Sequence, residues 1–319
     1  MNQNATMPTD PLALRRVVIG GPTGAVGTSL INELVSQGIE VVAVPRKGSS
    51  RIGVIPQHPL VRVVECSLDH YGELAQRVGA PCDAFYHFAW DGTYGPSRQD
   101  WDRQAANIGF TLDAVRAARE LGCSVFVGAG SQSEFGHVGG VLHPFMWCDP
   151  DNGYGAAKLA AGQMSRALCK HLGIRHEWCR IVSLYGPGDG PHTLISQAIR
   201  TMLAHERFAC TPGDQVWDYI YNKDAARAFR LVAERGHDGA VYCFGTGETR
   251  TLRAYIEAIR DAIDPELAIG FGERDYYPDQ VMHLEADVSN LREDVGFEPR
   301  YSFEDGIRET IDWVRDTQG

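Results

Sequence analysis

Tyr154 and Lys158 are the residues of this chain whose types and spacing best suit acid–base chemistry. Side chains four residues apart lie on one face of a helix, and residues 154–172 have helical composition and periodicity. A phenol, whose ordinary pKa is about 10, exchanges protons poorly at neutral pH unless a cation stabilises its anion. The spacing therefore predicts that Tyr154 donates a proton to a substrate carbonyl beside the charge of Lys158. Taken alone, the pattern also fits an exposed helical pair.

Gly21, Gly24 and Gly27 follow a predicted buried strand at residues 16–20 and open a predicted amphipathic helix that runs to residue 37. Glycine is needed where a chain turns tightly, where backbone approaches a pyrophosphate, and where a helix packs closely on a strand. The unpaired N–H groups of the helix then face the phosphates. The arrangement predicts a dinucleotide site. The alternative is a glycine-rich turn that serves packing alone.

The segment after the second predicted strand indicates which dinucleotide binds. An NAD-preferring site places a carboxylate there for the ribose 2′-hydroxyl, but residues 45–51 contain no acid, three cations and two hydroxyls. These groups suit a 2′-phosphate, with Arg46 best placed to clamp it. We therefore expect NADP(H) in preference to NAD(H); a solvated basic loop is the alternative interpretation. The residues expected to contact the cofactor here are Arg46, Lys47, Ser49 and Arg51.

Apolar runs alternate with helical stretches through the first 184 residues, which predicts an α/β, Rossmann-like doubly wound parallel sheet. The predicted strands are residues 16–20, 40–45, 61–66, 84–88, 124–128 and 176–184, with a long helix at 101–121. Beyond residue 185 the alternation breaks into loops rich in Gly, Pro and Asp, which predicts a smaller, discontinuous C-terminal substrate domain. The expected organisation is a disordered tail at 1–15, a cofactor domain at 16–183 with parts of 216–245, and a substrate domain at 184–215 and 246–319.

Bulk composition narrows the function classes. The 319 residues carry a net charge of −11, which argues against nucleic acid or an anionic membrane as the main partner. No apolar run approaches the roughly 20 residues that span a bilayer. The eight cysteines are scattered without a Cys-x-x-Cys motif, which favours reduced thiols over a disulfide frame or a metal site. We expect a cytoplasmic protein without a metal.

The motifs together resemble the extended short-chain dehydrogenase/reductase family, the NAD-dependent epimerase/dehydratase group, over residues 16–315. The matching features are, in order, Gly21/Gly24/Gly27, His87-Phe-Ala89, Asn107-Ile-Gly-Phe-Thr111, Ser131, Tyr154/Lys158, Arg180, Tyr185-Gly-Pro187 and Asp218-Tyr-Ile-Tyr-Asn-Lys-Asp224. Several motifs in the right order are more specific than any one of them.

The resemblance implies a role for each residue of the site. Tyr154 would exchange a proton with a sugar hydroxyl or carbonyl, Lys158 would bond the nicotinamide ribose and lower the tyrosine pKa, and Ser131 would bond the same carbonyl oxygen. We favour structural roles for His87 and Asn107. The other cofactor contacts expected are Thr23, Ala25, Val26, Ser67, Leu68, Phe88, Ala89, Trp90, Asn107, Ile181, Ser183 and Leu184. The candidates for the substrate are Ser133, Glu134, Trp217, Tyr219, His192 and Gln280; for Ser133 and Glu134 a plain loop role fits as well.

Departures from the family pattern narrow the reaction. Family dehydratases follow the active-site hydroxyl with an Asp-Glu pair, and Gln132 and Ser133 occupy those positions here. Trp217 replaces an arginine that often contacts the diphosphate, and Ser183 replaces an asparagine. The segments Ser-Gln-Ser-Glu-Phe-Gly136, Gln215-Val-Trp217 and Gln280-Val-Met-His283 resemble the branch that includes CDP-abequose and dTDP-fucose synthases.

The function expected from this resemblance is NADPH-dependent reduction of a nucleotide-linked 4-keto-6-deoxyhexose, by a homodimer that uses the long helix and the Tyr154 helix. The first alternative is an NAD-dependent nucleotide-sugar 4-epimerase. The second is a non-catalytic NADP-binding sensor or interaction protein, against which the intact Ser131, Tyr154 and Lys158 argue.

Overall fold

The computed structural model describes residues 11–278 and 280–318. Its strands, in chain order, are β1 (Arg16–Gly20), β2 (Glu40–Val44), β3 (Val61–Val63), β4 (Ala84–His87), β5 (Val125–Ser131), β6 (Gly140–Leu142), β7 (Arg175–Ile181), β8 (Leu184–Tyr185), β9 (Phe208–Cys210), β10 (Val216–Trp217), β11 (Ile220–Tyr221), β12 (Val241–Phe244), β13 (Arg250–Thr251), β14 (Ile269–Phe271) and β15 (His283–Ala286). Its α-helices are α1 (Ala25–Ser36), α2 (Leu74–Val78), α3 (Trp101–Glu120), α4 (Gly153–Leu172), α5 (Leu194–Leu203), α6 (Asn222–Arg235), α7 (Leu252–Ile263), α8 (Ser289–Val295) and α9 (Phe303–Gln318).

A seven-stranded parallel sheet forms the centre of the molecule, in the order β12-β7-β5-β4-β1-β2-β3. Apolar side chains cover both faces, as buried parallel strands require. On one face α1 and α6 pack over Val17 and Val127, and on the other α3 and α4 pack over Val18 and Phe126. The predicted α/β doubly wound fold is confirmed. The carboxyl ends of these strands form the edge where such sheets bind ligands.

Two predicted strands end three residues earlier than expected, and β2 and β4 end one residue earlier. β3 ends at Val63, although Val64 and Cys66 still donate backbone hydrogen bonds to the neighbouring segment. The strand expected at 176–184 is interrupted after Ile181, because the chain changes partners there. Val182 N still donates to Phe244 O in the central sheet, whereas β8 pairs with β11 outside it.

A second apolar cluster gathers several of the elements that follow residue 184, whereas α6, β12 and α8 pack into the core of the central sheet. It joins α5, α7 and α9 around side chains such as Ile199, Ile256 and Ile307. Beside it, a four-stranded sheet runs in the order β13-β10-β15-β6, so a strand from residues 140–142 joins elements near the C-terminus. The exact domain boundaries remain a prediction.

The chain contacts the fold before β1 begins. Leu12 and Leu14 pack against the central core, and Leu12 N donates to Glu234 O at 2.7 Å. Residues 1–10 of the predicted disordered tail lie outside the described residues. Among the described helices, none is long and apolar enough to cross a membrane.

Candidate active site

Tyr154 lies in the first turn of α4, which packs against the turn that follows β5. The Asn152 side chain caps the helix by accepting from Gly155 N at 2.9 Å. A Cβ on Gly155 would lie only 2.1 Å from Ser133 O, so the close approach of helix and turn requires glycine. This packing brings Tyr154 close to Ser131, the last residue of β5. The Ser131 hydroxyl forms a hydrogen bond with the Tyr154 phenol.

The buried side chain of Glu134 fixes the turn that carries Ser131. Its carboxylate accepts from Ser131 N at 2.8 Å, from Trp178 Nε1 at 2.9 Å and from Arg180 Nε at 2.7 Å. The Ser131 hydroxyl in turn accepts from Ser133 N, which completes a capping box over Gln132–Glu134. Glu134 is fully buried, and its hydrogen bond to Ser131 N holds the backbone of the turn; its contact with a substrate stays a prediction.

Lys158 lies one turn further along α4 and is almost completely buried. Its Nζ donates to Ala129 O at 2.7 Å and lies 3.8 Å from the centre of the Trp90 ring and 5.9 Å from that of Tyr154. Burial lowers the pKa of Lys158 from its ordinary 10.5 to about 7, against a smaller opposing effect of the Glu134 charge. Without cofactor, Lys158 is therefore only partly charged near neutral pH.

Burial raises the pKa of the Tyr154 phenol, and two neighbours oppose this effect. The Ser131 hydrogen bond lowers the pKa, and so does the positive charge of Arg98, while the Glu134 charge raises it slightly. The guanidinium carbon of Arg98 lies 4.5 Å from the centre of the Tyr154 ring, and the Trp90 indole meets that ring at 82°.

Sequence reasoning missed Arg98. It belongs to a short 3₁₀ helix, Gly95–Gln99, that matches no motif. Its position after β4 was the available signal, because the loops at the carboxyl ends of parallel strands meet at the ligand-binding edge.

A cleft of about 620 Å³ extends from this site along the carboxyl edge of the sheet. Predicted cofactor residues that line it are Gly21, Thr23, Gly24, Arg46, Ser49, Arg51, Ser67, Leu68, Phe88, Ala89 and Trp90. A Cβ on Gly21, at φ +81°, would lie 2.6 Å from Ala89 N, and one on Gly27 would lie 2.5 Å from Gly21 O. Around Gly24 there is space, with the nearest atom 4.0 Å away. Two glycines thus serve packing, and the third leaves backbone open beside the N-terminus of α1; this cradle fits a dinucleotide.

Other predicted cofactor residues do not line this cleft. Lys47 is exposed beside it, with its backbone N–H donated to Ser67 Oγ at 3.2 Å. Asn107 is buried and holds the backbone of Asp91 through both side-chain atoms, a structural role. His87, for which a structural role was expected, is buried with its Nε2 at 3.2 Å from Thr111 Oγ1, and burial lowers its pKa to about 3. The remaining predicted contacts, which are not among the lining residues, are Ala25, Val26, Gly27, Lys158, Tyr154, Ile181, Ser183 and Leu184.

The candidate substrate residues are spread over several surroundings. Ser133 accepts a hydrogen bond from Arg98 Nη2 at 2.6 Å, which places it beside Tyr154. Tyr219 packs edge-on against Tyr255 and Tyr185 in the second cluster. His192 stacks on Tyr94, with ring centres 4.7 Å apart. The Gln280 amide donates to Val281 O.

The two departures from the family pattern at positions 183 and 217 are in contact. Trp217 Nε1 donates to Ser183 Oγ at 2.7 Å, and β8 and β11 bring the two segments together. The two positions therefore form one neutral hydrogen-bonded pair. No group of three or more potential metal-ligating side chains occurs in the described parts of the chain.

Comparison with known proteins agrees with this geometry. The model of the NAD dependent epimerase/dehydratase family matches residues 17–245. The trifunctional UDP-glucose 4,6-dehydratase/UDP-4-keto-6-deoxy-D-glucose 3,5-epimerase/UDP-4-keto-L-rhamnose-reductase RHM2 of Arabidopsis thaliana is 28% identical over 245 residues, which are 72% of this chain and 36% of that protein. The chain therefore spans about a third of this relative's length.

Other similar proteins match over nearly the whole chain. The dTDP-glucose 4,6-dehydratase of Streptomyces niveus is 25% identical over 333 residues, which cover 95% of this chain and 94% of the relative. The crystal structure of UDP-glucuronic acid 4-epimerase from Bacillus cereus in complex with NAD has a TM-score of 0.82 at 19% identity and covers 95% of this chain and 100% of that one. These names belong to dehydratases and epimerases and do not single out the 4-ketoreductase branch. The protein is an enzyme that belongs to the NAD dependent epimerase/dehydratase family.

Proposed function

We propose that the protein uses NADPH to reduce the 4-keto group of a nucleotide-linked 4-keto-6-deoxyhexose. The observation that carries the proposal is the turn after Ser131. Gln132 and Ser133 stand where family dehydratases have an acid and a base, and the one carboxylate of the turn, Glu134, is fully buried and paired with Arg180. This turn cannot supply the acid and base that eliminate water, whereas Ser131 and Tyr154 suit a simple carbonyl reduction.

The chain's own side chains would perform the proton chemistry. Ser131 and Tyr154 would donate hydrogen bonds to the carbonyl oxygen and hold it as negative charge develops. Tyr154 would then pass its phenolic proton to that oxygen. Lys158 and the cradle of Gly24 would hold the cofactor's ribose and phosphates. When bound, the nicotinamide cofactor supplies the hydride.

The preference for NADPH rests on the basic end of the cleft. Arg46, Ser49 and Arg51 line it, and no acidic residue follows β2 before Arg51. A charge-assisted hydrogen bond contributes about 1.5–3 kcal/mol. Arg46→Ala is therefore expected to weaken NADPH binding roughly 10- to 100-fold and to leave NADH binding nearly unchanged. Arg119→Ala, which removes an exposed arginine from the last turn of α3, outside the cleft lining, is the matched control. Equal loss for both cofactors, or equal affinities in the unmodified protein, would refute the preference.

The test of the reaction is absorbance at 340 nm with purified protein, NADPH and a panel of 4-keto-6-deoxy nucleotide sugars, with NADH in parallel. We expect the unmodified protein to oxidise NADPH stoichiometrically with the sugars of one nucleotide. We expect the Tyr154→Phe variant to oxidise no NADPH with any of them. Failure of every member of the panel to oxidise either cofactor would exclude the proposed reductase.

A nucleotide-sugar 4-epimerase is the second candidate, because an epimerase also needs no dehydratase acid–base pair and similar proteins carry that name. It predicts NAD that copurifies with the protein, and turnover without added cofactor. Denaturing the purified protein and identifying the released dinucleotide separates the two candidates.

The proposed assembly is a homodimer through α3 and α4, which pack together and carry the exposed side chains of Trp101 and Met164. Light scattering after size exclusion tests it: a mass near 70 kDa, twice the 35.1 kDa of one chain, is expected. A mass that stays at one chain at micromolar concentration would refute it.

A further inference from the structure

Arg98 approaches the phenol ring of Tyr154 from a loop that the family motifs do not include. Its guanidinium carbon lies 4.5 Å from the ring centre, within the range of a cation–π interaction. The side chain is half-buried, and no carboxylate of the described residues lies within ion-pair distance of it. Its charge is therefore not cancelled by an acidic partner and acts on the ring at short range.

The position of Arg98 is fixed by the same turn that carries Ser131. Its Nη2 donates to Ser133 Oγ at 2.6 Å, and Ser133 is itself buried. The neighbouring Gln99 side chain accepts from Gly153 N at 3.3 Å, which ties this loop to the start of α4. The guanidinium, the phenol and the Ser131 turn are thus held as one unit before a substrate binds.

Lys158 is a weaker source of charge for Tyr154 in the cofactor-free protein. Its Nζ is directed to Ala129 O and the Trp90 ring, 5.9 Å from the centre of the Tyr154 ring. Burial lowers the pKa of Lys158 to about 7, so its charge is partial at neutral pH. A guanidinium, in contrast, keeps its charge at every pH at which proteins are folded.

We propose that Arg98 is a positioning residue for Tyr154: held by Ser133 against the phenol, it stabilises the anion that remains after the proton passes to the carbonyl oxygen. The inference rests on the proposed function, in which Tyr154 is the proton donor. It adds a second and permanent cation to the expected pair of Tyr154 and Lys158, and it gives the loop after β4 a role in the chemistry.

The test is the ionisation of residue 154 itself, measured without substrate. A fluorotyrosine incorporated at position 154 gives a single ¹⁹F signal. Its phenol ionises at a lower pH than that of tyrosine, so the titration can be followed at pH values at which the protein is still folded. Loss of a cation within about 4–6 Å shifts a pKa by roughly 1 unit or more. We therefore expect Arg98→Gln to raise the titration midpoint by about 1 pH unit. Arg98→Lys should restore part of the difference, since it keeps the charge.

Two further variants complete the design. Arg103→Gln, which removes an exposed arginine paired with Asp91 and Asp100, should leave the midpoint unchanged. Ser133→Ala removes the tether but no charge and should raise the midpoint by less than Arg98→Gln does. It also serves as the decisive variant if Arg98→Gln does not fold.

An unchanged titration midpoint in Arg98→Gln would overturn the proposal. If Arg98→Gln does not fold, an unchanged midpoint in Ser133→Ala would do the same. A shift in Arg103→Gln as large as that in Arg98→Gln would also overturn it. The basic limb of the pH profile for turnover should move with the midpoint. Absence of turnover with every 4-keto sugar, together with the expected shifts, would refute the proposed function and leave the role of Arg98 standing.

Discussion

Replacing Lys158 with methionine should make the cofactor-free protein more stable near neutral pH, and this gain should shrink as the pH rises. Lys158 is 4% exposed, and its ammonium group has left water for a site with one carbonyl and one indole ring. Burial lowers its pKa from 10.5 to about 7, because the protein disfavours the charged form. Methionine has a similar length and no charge to desolvate.

The magnitude follows from linkage between protonation and folding. A pKa shift is worth about 1.36 kcal/mol per unit. The fall of the Lys158 pKa from 10.5 to about 7 therefore means that burying the protonated lysine lowers the free energy of unfolding by roughly 5 kcal/mol. Methionine leaves Ala129 O without its donor, which costs about 1–3 kcal/mol. We therefore expect Lys158→Met to raise the free energy of unfolding by about 2 kcal/mol at pH 7.

The sign of the pH dependence is fixed by which state binds more protons. Between pH 7 and 10.5 the unfolded chain keeps the Lys158 proton and the folded protein releases it, so the stability of the unmodified protein rises with pH. Methionine does not titrate. The advantage of Lys158→Met should thus be complete below about pH 7 and fall by about 2 kcal/mol between pH 7 and pH 9.

Urea unfolding of both proteins at several pH values from 6 to 9 measures this difference, and groups common to both proteins cancel. Lys170→Met is the control, because Lys170 is exposed near the end of the same helix. Its stability difference from the unmodified protein should not vary over this range. A flat difference for Lys158→Met between pH 7 and pH 9 would refute the reasoning, since it would mean that folding leaves the charge of Lys158 unchanged.

Four other substitutions have definite expected outcomes. Tyr154→Phe should abolish turnover in the 340 nm assay while NADPH affinity stays within about twofold; substantial retained turnover would remove Tyr154 from its role. Gly27→Ala places a Cβ 2.5 Å from Gly21 O and should cost about 2 kcal/mol in urea unfolding, whereas Gly24→Ala has space and should weaken cofactor binding at unchanged stability. The opposite ranking would contradict the assigned glycine roles. Glu134→Gln leaves Arg180 buried without its anion and should cost about 3 kcal/mol; a loss below about 1 kcal/mol would be inconsistent with that pairing.

The sequence allowed the central sheet to be predicted because its strands are buried on both faces and read as apolar runs. β1 was predicted at its observed bounds, and β2, β4 and α3 ended within one residue of the expected position. The exchange of partners after Ile181 could not be read from the sequence. Ile181, Val182 and Leu184 are all apolar, and only the pairing of β8 with β11 shows that the strand leaves the sheet.

The candidate site could be predicted where its residues form a short pattern in the sequence that is typical of one kind of chemistry. The Tyr154/Lys158 spacing and the glycine triplet carry their meaning in a few consecutive residues. Arg98 carries no such local pattern. Its contact with Tyr154 requires the loop after β4 to meet the first turn of α4, although the two residues are 56 positions apart in sequence. Ser183 and Trp217 each depart from the family pattern, and the hydrogen bond between them is visible only in three dimensions.

The buried Glu134–Arg180 pair is best explained by what it holds in place. A buried ion pair contributes little net stability, since apolar residues of similar volume often stabilise a fold as well or better. Stability alone therefore does not explain why Glu134 and Arg180 are buried together beside the turn that follows β5. Apolar side chains, however, could not accept the Ser131 N–H or donate to the backbone carbonyl of Pro144, as Glu134 and Arg180 do. The pair fixes the backbone from which Ser131 reaches Tyr154, and its cost is consistent with a site in which that hydroxyl must be in position before the substrate arrives.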